Sequence, residues 1–302
     1  MNHFYSRFLA ILSFALTLAI AVNAQTEEET DSVKWTKNGV IGITVANAGF
    51  SNWSAGGSNS FSLDATGNYS VKRESAKTIW INRVEIAFGW VTLDVDRYPD
   101  RKTQDKLDLM TNFGRRVSEY WSVSVTGRLV TQFAAGYQYS SDNGKSMREY
   151  TSDIFSPAYL TTTLGANYAY KDLLVVNLSP ISGRFTFVSS EPLSEQGLFG
   201  VKKGEKFRAQ VGCNIFSSLH WKIVEDVVLD TSLNLFADYE SITTVDINWP
   251  ASLKMKVTKL LFAQVGTQMI YDDDIKFIRD DGTRGPALQF RHNISVGINW
   301  EF

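Results

Sequence analysis

The stretch that most constrains this chain is its last one. Residues 288–302 read LQFRHNISVGINWEF. Leu288, Phe290, His292, Ile294, Val296, Ile298, Trp300 and Phe302 share one parity, and Gln289, Arg291, Asn293, Ser295, Gly297, Asn299 and Glu301 share the other. An extended strand points successive side chains to opposite faces, so the stretch has one apolar face and one polar face. It is long enough to cross a bilayer at a tilt.

The same alternation recurs upstream, and it predicts twelve strands in all. The others cover about 40–48, 61–70, 79–91, 106–115, 121–133, 159–170, 174–187, 207–221, 227–239, 245–257 and 261–271. Within 174–187, Leu174, Val176 and Leu178 take one parity and Phe185 and Phe187 the other. The switch predicts a bulge near 180–183, where Pro180 and Gly183 interrupt the strand.

A soluble β-sandwich also alternates, so three further features decide the class. The strands run to about 10–15 residues, where about 5–6 is usual in soluble sheets. Connections alternate between short ones, at 71–77, 118–120, 171–173, 224–226 and 258–260, and longer ones, notably 134–158 and 189–206. Aromatics gather at the strand ends: Trp80, Trp121, Tyr170, Trp221, Trp300 and Phe302 toward the short turns, and Trp90, Phe133, Tyr239, Tyr271 and Phe290 toward the long loops. Two such girdles are what the two interfaces of a bilayer select. In lipid, an open sheet would leave edge amides unpaired at several kcal/mol each, so the sheet must close. The expected fold is all-β: a single antiparallel transmembrane β-barrel of about twelve strands, with short periplasmic turns and longer outer loops. An even strand count puts both termini in the periplasm.

The amino terminus fits export. Arg7 precedes an apolar run at 8–22, and Val22-Asn23-Ala24 offers small residues for cleavage before Gln25. Residues 1–24 are therefore expected as a cleaved signal peptide, 25–38 as a polar periplasmic lead with Glu27, Glu28, Glu29 and Asp31, and 39–302 as the barrel. The formal net charge of -2 gives no reason to expect a nucleic-acid partner. The single cysteine, Cys213, excludes an internal disulfide. No cofactor is expected.

By parity the inward positions carry mixed charge: Asp64, Arg83, Glu85, Asp108, Arg128, Arg208, Asp230, Asp238, Asp246, Lys254 and Arg291. These groups form either an ion-paired plug or the lining of a wet channel. A barrel of eight strands can be filled by side chains and one of sixteen leaves an aqueous pore, so twelve leaves both readings open. The long-loop end holds Trp53 in a glycine-rich turn at 51–57, and Tyr137 and Tyr139 after Gly136. Such aromatics stack on sugars or pack loops together, and the second role is the commoner. Asp272, Asp273 and Asp274 form a hard-oxygen cluster suited to calcium, but without the spacing of an EF-hand loop, so a solvated acidic loop is the plainer reading. Lys202 and Lys203 could meet acidic lipopolysaccharide or an anionic solute. No enzyme is expected: His220 points inward and His292 outward, and His292 and Ser295 fall on opposite faces, so they make no local base–nucleophile pair.

The aromatic carboxy terminus resembles the terminal strand of bacterial outer-membrane barrels, which the barrel-assembly machinery recognises, here through the strand ending at Phe302. Several stretches resemble an uncharacterised outer-membrane family labelled domain of unknown function 3078. They are Ser51-Asn52-Trp53 with Gly56-Gly57, the run at 101–109 with Arg101-Lys102-Thr103 and Asp105, and Gln132-Phe133-Ala134 with Gly136-Tyr137. Ser156-Pro157, Leu178-Ser179-Pro180, the run at 199–204 and that at 271–275 continue the resemblance. It implies export to an outer membrane of a Gram-negative envelope and a β-rich fold, and it carries no known activity. The expected role is a small channel for polar solutes; the alternative is a closed barrel that serves as a structural or partner-binding subunit, with an unknown protein partner.

Overall fold

The computed structural model describes residues 33–48, 59–95, 97–142, 145–278 and 284–302. From Lys34 onward the strands are β1 (Lys34–Ala48), β2 (Ser60–Glu74), β3 (Thr78–Leu93), β4 (Asp100–Arg116), β5 (Trp121–Thr131), β6 (Gly136–Asp142), β7 (Lys145–Ser152), β8 (Ala158–Tyr170), β9 (Leu174–Phe187), β10 (Phe207–Val224), β11 (Val227–Asp238), β12 (Val245–Lys256), β13 (Leu261–Tyr271), β14 (Lys276–Ile278), β15 (Arg284–Pro286) and β16 (Gln289–Glu301). Twelve of them close an antiparallel barrel, and β6–β7 and β14–β15 are separate hairpins in the long loops. Each barrel strand pairs with the next along the chain, and β16 closes on β1 with Ile298 opposite Ile43. Phe302 seals that seam: its backbone exchanges hydrogen bonds of 2.8 and 2.9 Å with Gly39, and its ring stacks 6.5 Å from Tyr69.

The polarity is inside out. Ile41, Ile43, Val84, Ile86, Val123, Val125, Val211 and Ile215 are exposed on the outer face, and Ile294 is 79% exposed. The groups shielded from solvent include many polar ones: Asp108, Asn112, Ser124, Thr163, Asn177, Ser182, Gln210 and Asn214. A closed sheet with an apolar outer belt and a polar interior is stable in a bilayer, where every backbone group must be paired internally. The exposed Trp90, Trp121, Trp221, Tyr239, Phe290, Trp300 and Phe302 mark the two edges of that belt.

The expected bulge lies in β9. On one side Gly165 of β8 faces both Ser179 and Pro180, and on the other Cys213 of β10 faces Pro180 and Ile181. The extra residue presses so close to β8 that a Cβ on Gly165 would overlap the Leu178 carbonyl oxygen and approach the Ser179 Cα to 2.6 Å. The Pro180 carbonyl, displaced from the ladder, accepts the Tyr239 hydroxyl.

Several strands run past their expected ends. β1 begins at Lys34, inside the segment expected as a polar lead, and pairs Lys34 with Glu74 and Trp35 with Arg73. β4 likewise begins at Asp100 rather than Lys106. Beyond the apolar belt both faces of a strand meet water, so alternation in hydropathy disappears although the hydrogen-bond ladder continues. β5 is the reverse case: it stops at Thr131, and Phe133 already belongs to the loop.

Candidate functional site

Parity and the bulge together settle what lines the lumen, and its two sides differ. On β4, β5, β8 and β9 many inward side chains at mid-height are short polar ones joined in a ladder. Asn112 Nδ2 donates to Thr126 Oγ1 at 2.6 Å, Asn167 Nδ2 to Ser124 Oγ at 2.8 Å, Asn177 Nδ2 to Asn167 Oδ1, and Ser179 Oγ to Asn177 Oδ1. Asp108 sits against this side and takes a two-pronged hydrogen bond from Arg128, Nε at 2.9 Å and Nη2 at 2.6 Å. Lys106 Nζ bridges Glu85 at 2.8 Å and Asp108 at 3.2 Å. On β16, β2 and β3, by contrast, Arg291, Asn293, Asn68 and Arg83 are exposed to the lumen. Arg291 Nη2 approaches Gln104 Oε1 of β4 to 3.5 Å across the interior. One arc of the lumen is packed and the other is exposed.

The remaining inward candidates fall at either end. Asp230 meets His220 Nδ1 at 2.6 Å near the short turn 225–226. The Lys254 ammonium lies 5.3 Å from the centroid of Phe262, over its ring. Asp64 accepts from Thr103 Oγ1 at 3.0 Å, and Asp238 from Gln210 Nε2 at 3.1 Å. Arg208 and Asp246 join a cluster at the long-loop end whose centre is Arg184, a residue that the alternation did not single out. Its guanidinium pairs with Asp246 and, at 3.1 Å, with Asp272; Asp274 is 4.0 Å away. Arg208 holds Asp274 at 2.5 Å. Arg184 also lies against the rings of Tyr159 on β8, at 5.5 Å, and Phe236 on β11, at 5.2 Å. One side chain from β9 thus ties together β8, β11, β12 and the segment after β13.

This cluster bears on the acidic run 272–274. Asp272 and Asp274 converge with Asp246, their carboxylate oxygens within 4.8 Å of one another, and Asp273 contributes only its backbone N–H to Asp246. The cations these carboxylates meet are the two guanidiniums. Burial pushes the Asp272 carboxyl above the usual carboxylate range; Arg184 opposes the shift, and the neighbouring Asp246 and Asp274 charges add to it.

The described parts of loops 132–157 and 188–206 are packed rather than trailing. Val188, Leu193 and Val201 form a small apolar core in 188–206, with a single helical turn, α1 (Glu191–Ser194), and Tyr150 of β7 against it. Loops 132–157 and 188–206 are bonded together: Ser190 N–H donates to Ser156 Oγ at 2.8 Å, and Ser189 N–H to the Phe155 carbonyl at 3.1 Å. Gly200, at φ +76°, sits directly on the Arg208–Asp274 pair, where a Cβ would come within 2.9 Å of Asp274 Cγ. The root of loop 132–157 is held by Lys102 and Asp105. Asp105 accepts the N–H groups of Phe133 and Ala134 at 3.0 and 2.9 Å. Lys102 Nζ reaches Asp105, Gln132 Oε1 and the Ala134 carbonyl at 2.8, 3.0 and 2.8 Å.

Tyr137 and Tyr139 pack within the outer loops, their rings 6.4 Å apart, with Tyr150 5.6 Å from Tyr137. Arg148 stacks on Tyr137 and Tyr98 at 4.3 and 4.6 Å, and Arg101 on Tyr139 at 4.4 Å. Lys202 and Lys203 are exposed at the loop surface. Trp53 lies outside the described residues.

A family model described as a protein of unknown function (DUF3078) matches residues 45–137. The stretches at 51–57, 101–109 and 132–137 fall inside that range, and those at 156–157, 178–180, 199–204 and 271–275 beyond it. No curated protein matches the chain in sequence. Among solved structures, the chain is similar to an outer membrane channel from Pseudomonas putida F1 at 12% identity, over 92% of this chain and 98% of that one, with a TM-score of 0.38. The translocator domain of autotransporter NalP from Neisseria meningitidis aligns at 10% identity over 99% and 98% of the two chains, with a TM-score of 0.33. The outer membrane phospholipase A from Escherichia coli aligns at 11% identity over 91% and 94%, with a TM-score of 0.34.

Proposed function

We propose that the chain is a narrow outer-membrane channel for small polar solutes, its outer mouth held nearly shut by the Arg184 cluster. The observation that carries this reading is the divided lumen. A barrel that served only as a rigid rod would pack its whole interior, yet Arg83, Asn68, Arg291 and Asn293 are left facing water along one arc. Desolvating those arginines without an anionic partner is unfavourable, so the arc stays hydrated and offers a path. Fixed positive charge on it favours anionic or dipolar solutes by field. The lumen needs no catalytic step in this reading. His220 and Asp230 form a pair, but among the described residues no nucleophile is hydrogen-bonded to that imidazole.

In the same reading residues 1–24 are removed on export, and the strand ending at Phe302 engages the barrel-assembly machinery. Lys202 and Lys203 face the lipopolysaccharide leaflet. The test is single-channel recording of the folded, heat-modifiable protein in a planar bilayer. Discrete steps whose ion preference shifts toward cations in Arg83→Gln and Arg291→Gln support the channel; a folded protein that stays silent across voltage and salt rejects it. A second reading, a scaffold that binds a partner protein, draws on the joined loops 132–157 and 188–206, which present an ordered surface. Its test is stoichiometric co-purification lost when those loops are replaced by short turns.

A further inference from the structure

Beside the lumen, the outer rim carries positive charge that, among the described residues, no ion pair neutralises. Arg97, Arg101 and Arg148 come from the 94–99 loop, β4 and β7. They are interleaved with tyrosines: Arg97 lies 4.9 Å and Arg148 4.6 Å over Tyr98, Arg148 is 4.3 Å over Tyr137, and Arg101 is 4.4 Å over Tyr139, whose ring is 6.1 Å from that of Tyr98. Among the described residues none of the three makes an ion pair with a carboxylate. The other cation here, Lys102, is consumed by Asp105.

Stacking on an aromatic face fixes a guanidinium plane but leaves its in-plane N–H donors at the edge free. Among the described residues, of these arginines only Arg101 uses a donor, Nε to the Tyr98 carbonyl at 3.2 Å. Three like charges gathered and pre-oriented in this way repel one another unless an anion joins them, and the planar fork of arginine suits the oxygens of a phosphate.

Arg101 also borders a notch of about 380 Å³ whose apolar side is Phe88 and Trp90. The rings of Phe88 and Phe133 stand 5.6 Å apart behind it. Trp90 belongs to the aromatic girdle at the long-loop edge of the belt, so the notch opens at the depth where lipid chains meet headgroups. Asp100 lines it too, and its carboxylate is engaged by the Thr92 hydroxyl at 2.7 Å.

We propose that this rim is a binding site for a phosphate-bearing headgroup of an outer-leaflet glycolipid. The phosphate sits on Arg101, Arg148 and Arg97, and the lipid's apolar part lies on Phe88 and Trp90. The site rests on the outer-membrane placement proposed above but not on whether the lumen conducts.

The test uses the folded full chain in phosphatidylcholine vesicles doped with a bisphosphorylated glucosamine-disaccharide lipid, or with the same lipid after its phosphates are removed. Lipid retained through detergent extraction is counted by mass spectrometry. Expected are retention of the phosphorylated lipid, at least tenfold weaker retention without phosphate, and a similar loss in Arg101→Gln/Arg148→Gln but not in Lys202→Gln/Lys203→Gln. Soluble glucosamine 1-phosphate at millimolar concentration should not compete. Equal retention of the two lipids by the unaltered protein overturns the proposal whatever the variants do. Competition by the soluble sugar phosphate overturns its lipid source, making the rim a solute site. If the double variant loses heat-modifiability, the exposed Arg97→Gln replaces it, with a severalfold loss expected and no change counting against the site. A chain that never inserts into vesicles fails the outer-membrane placement, which is a separate result.

Discussion

Replacing Arg184 by methionine removes the charge and keeps most of the volume, so it isolates what the guanidinium does at the outer mouth. Its side chain is 11% exposed, and those of Asp246 and Asp272 are 18% and 12% exposed. At contact distances of about 3–4 Å and an effective dielectric constant of about 20, each charge pair is worth about 4–5.5 kcal/mol before desolvation is counted. Desolvation offsets much of that, and removal of one partner from a buried pair generally destabilises by about 3–5 kcal/mol because the other charge is left stranded. Here the imbalance grows as well: Arg184 and Arg208 face Asp246, Asp272 and Asp274 in the native cluster, whereas the variant leaves Arg208 alone against the same three carboxylates. Urea unfolding of Arg184→Met in lipid vesicles should show a loss within that range, and planar-bilayer recording should show larger or more frequent openings. With the guanidinium charge gone, the three carboxylates should also attract a cation, since they lie within 4.8 Å of one another. Calcium at a hundred times its dissociation constant would return about 2.7 kcal/mol to the variant and nothing to the native chain. A variant with unchanged unfolding midpoint and unchanged conductance would refute the idea that Arg184 holds the mouth together.

Three other perturbations separate the parts of the structure. Asp272 has its carboxyl held above the ordinary range by burial, so between the unfolded and folded values the folded chain binds more protons. Stability from this group therefore rises as pH falls through that window; Asp272→Asn should flatten that part of the urea-midpoint profile, and an identical profile would contradict it. Asp105→Ala strands the Lys102 ammonium and two loop amides, a local loss of about 3–5 kcal/mol. Trypsin should then cut in the β6–β7 hairpin while the barrel stays heat-modifiable, and an uncut hairpin would show that the clamp is dispensable. Gly165→Val drives a side chain into the β9 bulge, where the overlap is with backbone that cannot turn aside. Overpacking of this kind costs about 1–3 kcal/mol or more, and the folded band on unheated gels should shrink or vanish; full folded yield would mean that the bulge relaxes.

The barrel was legible because a bilayer imposes its demand residue by residue. Alternation, strand length and the two aromatic girdles all report the same boundary condition, and even the β9 bulge left a trace in the parity switch between Leu178 and Phe185. Strand extensions such as Lys34–Asn38 and 100–105 left none, because outside the lipid no hydropathy contrast accompanies the ladder. Charged lumen positions were legible as positions and not as partners. Arg184 became findable only once the bulge was placed, since the shifted register is what turns it inward, and its meeting with Asp246 and Asp272 depends on curvature that one strand cannot encode. The outer rim was hidden for a related reason: Arg148 is far in sequence from Arg97 and Arg101 and is brought to them by the packing of hairpin β6–β7 on loop 94–99.

The resembling motifs change meaning in that light. At 101–109 and 132–137 they include the fastening of a loop root. Lys102, Asp105, Gln132 and Ala134 spend their polar atoms on one another, and Ser156 and Gly200 serve the contact of loop 188–206 with its surroundings. A barrel wall obtains its order from the ladder, whereas a long outer loop has no ladder and must be held by specific side chains. Polar residues at these stretches therefore fall where the cap is fastened, and the surfaces proposed above are what the fastened cap leaves over: an exposed arc of the lumen and three arginines that, among the described residues, pair with no carboxylate.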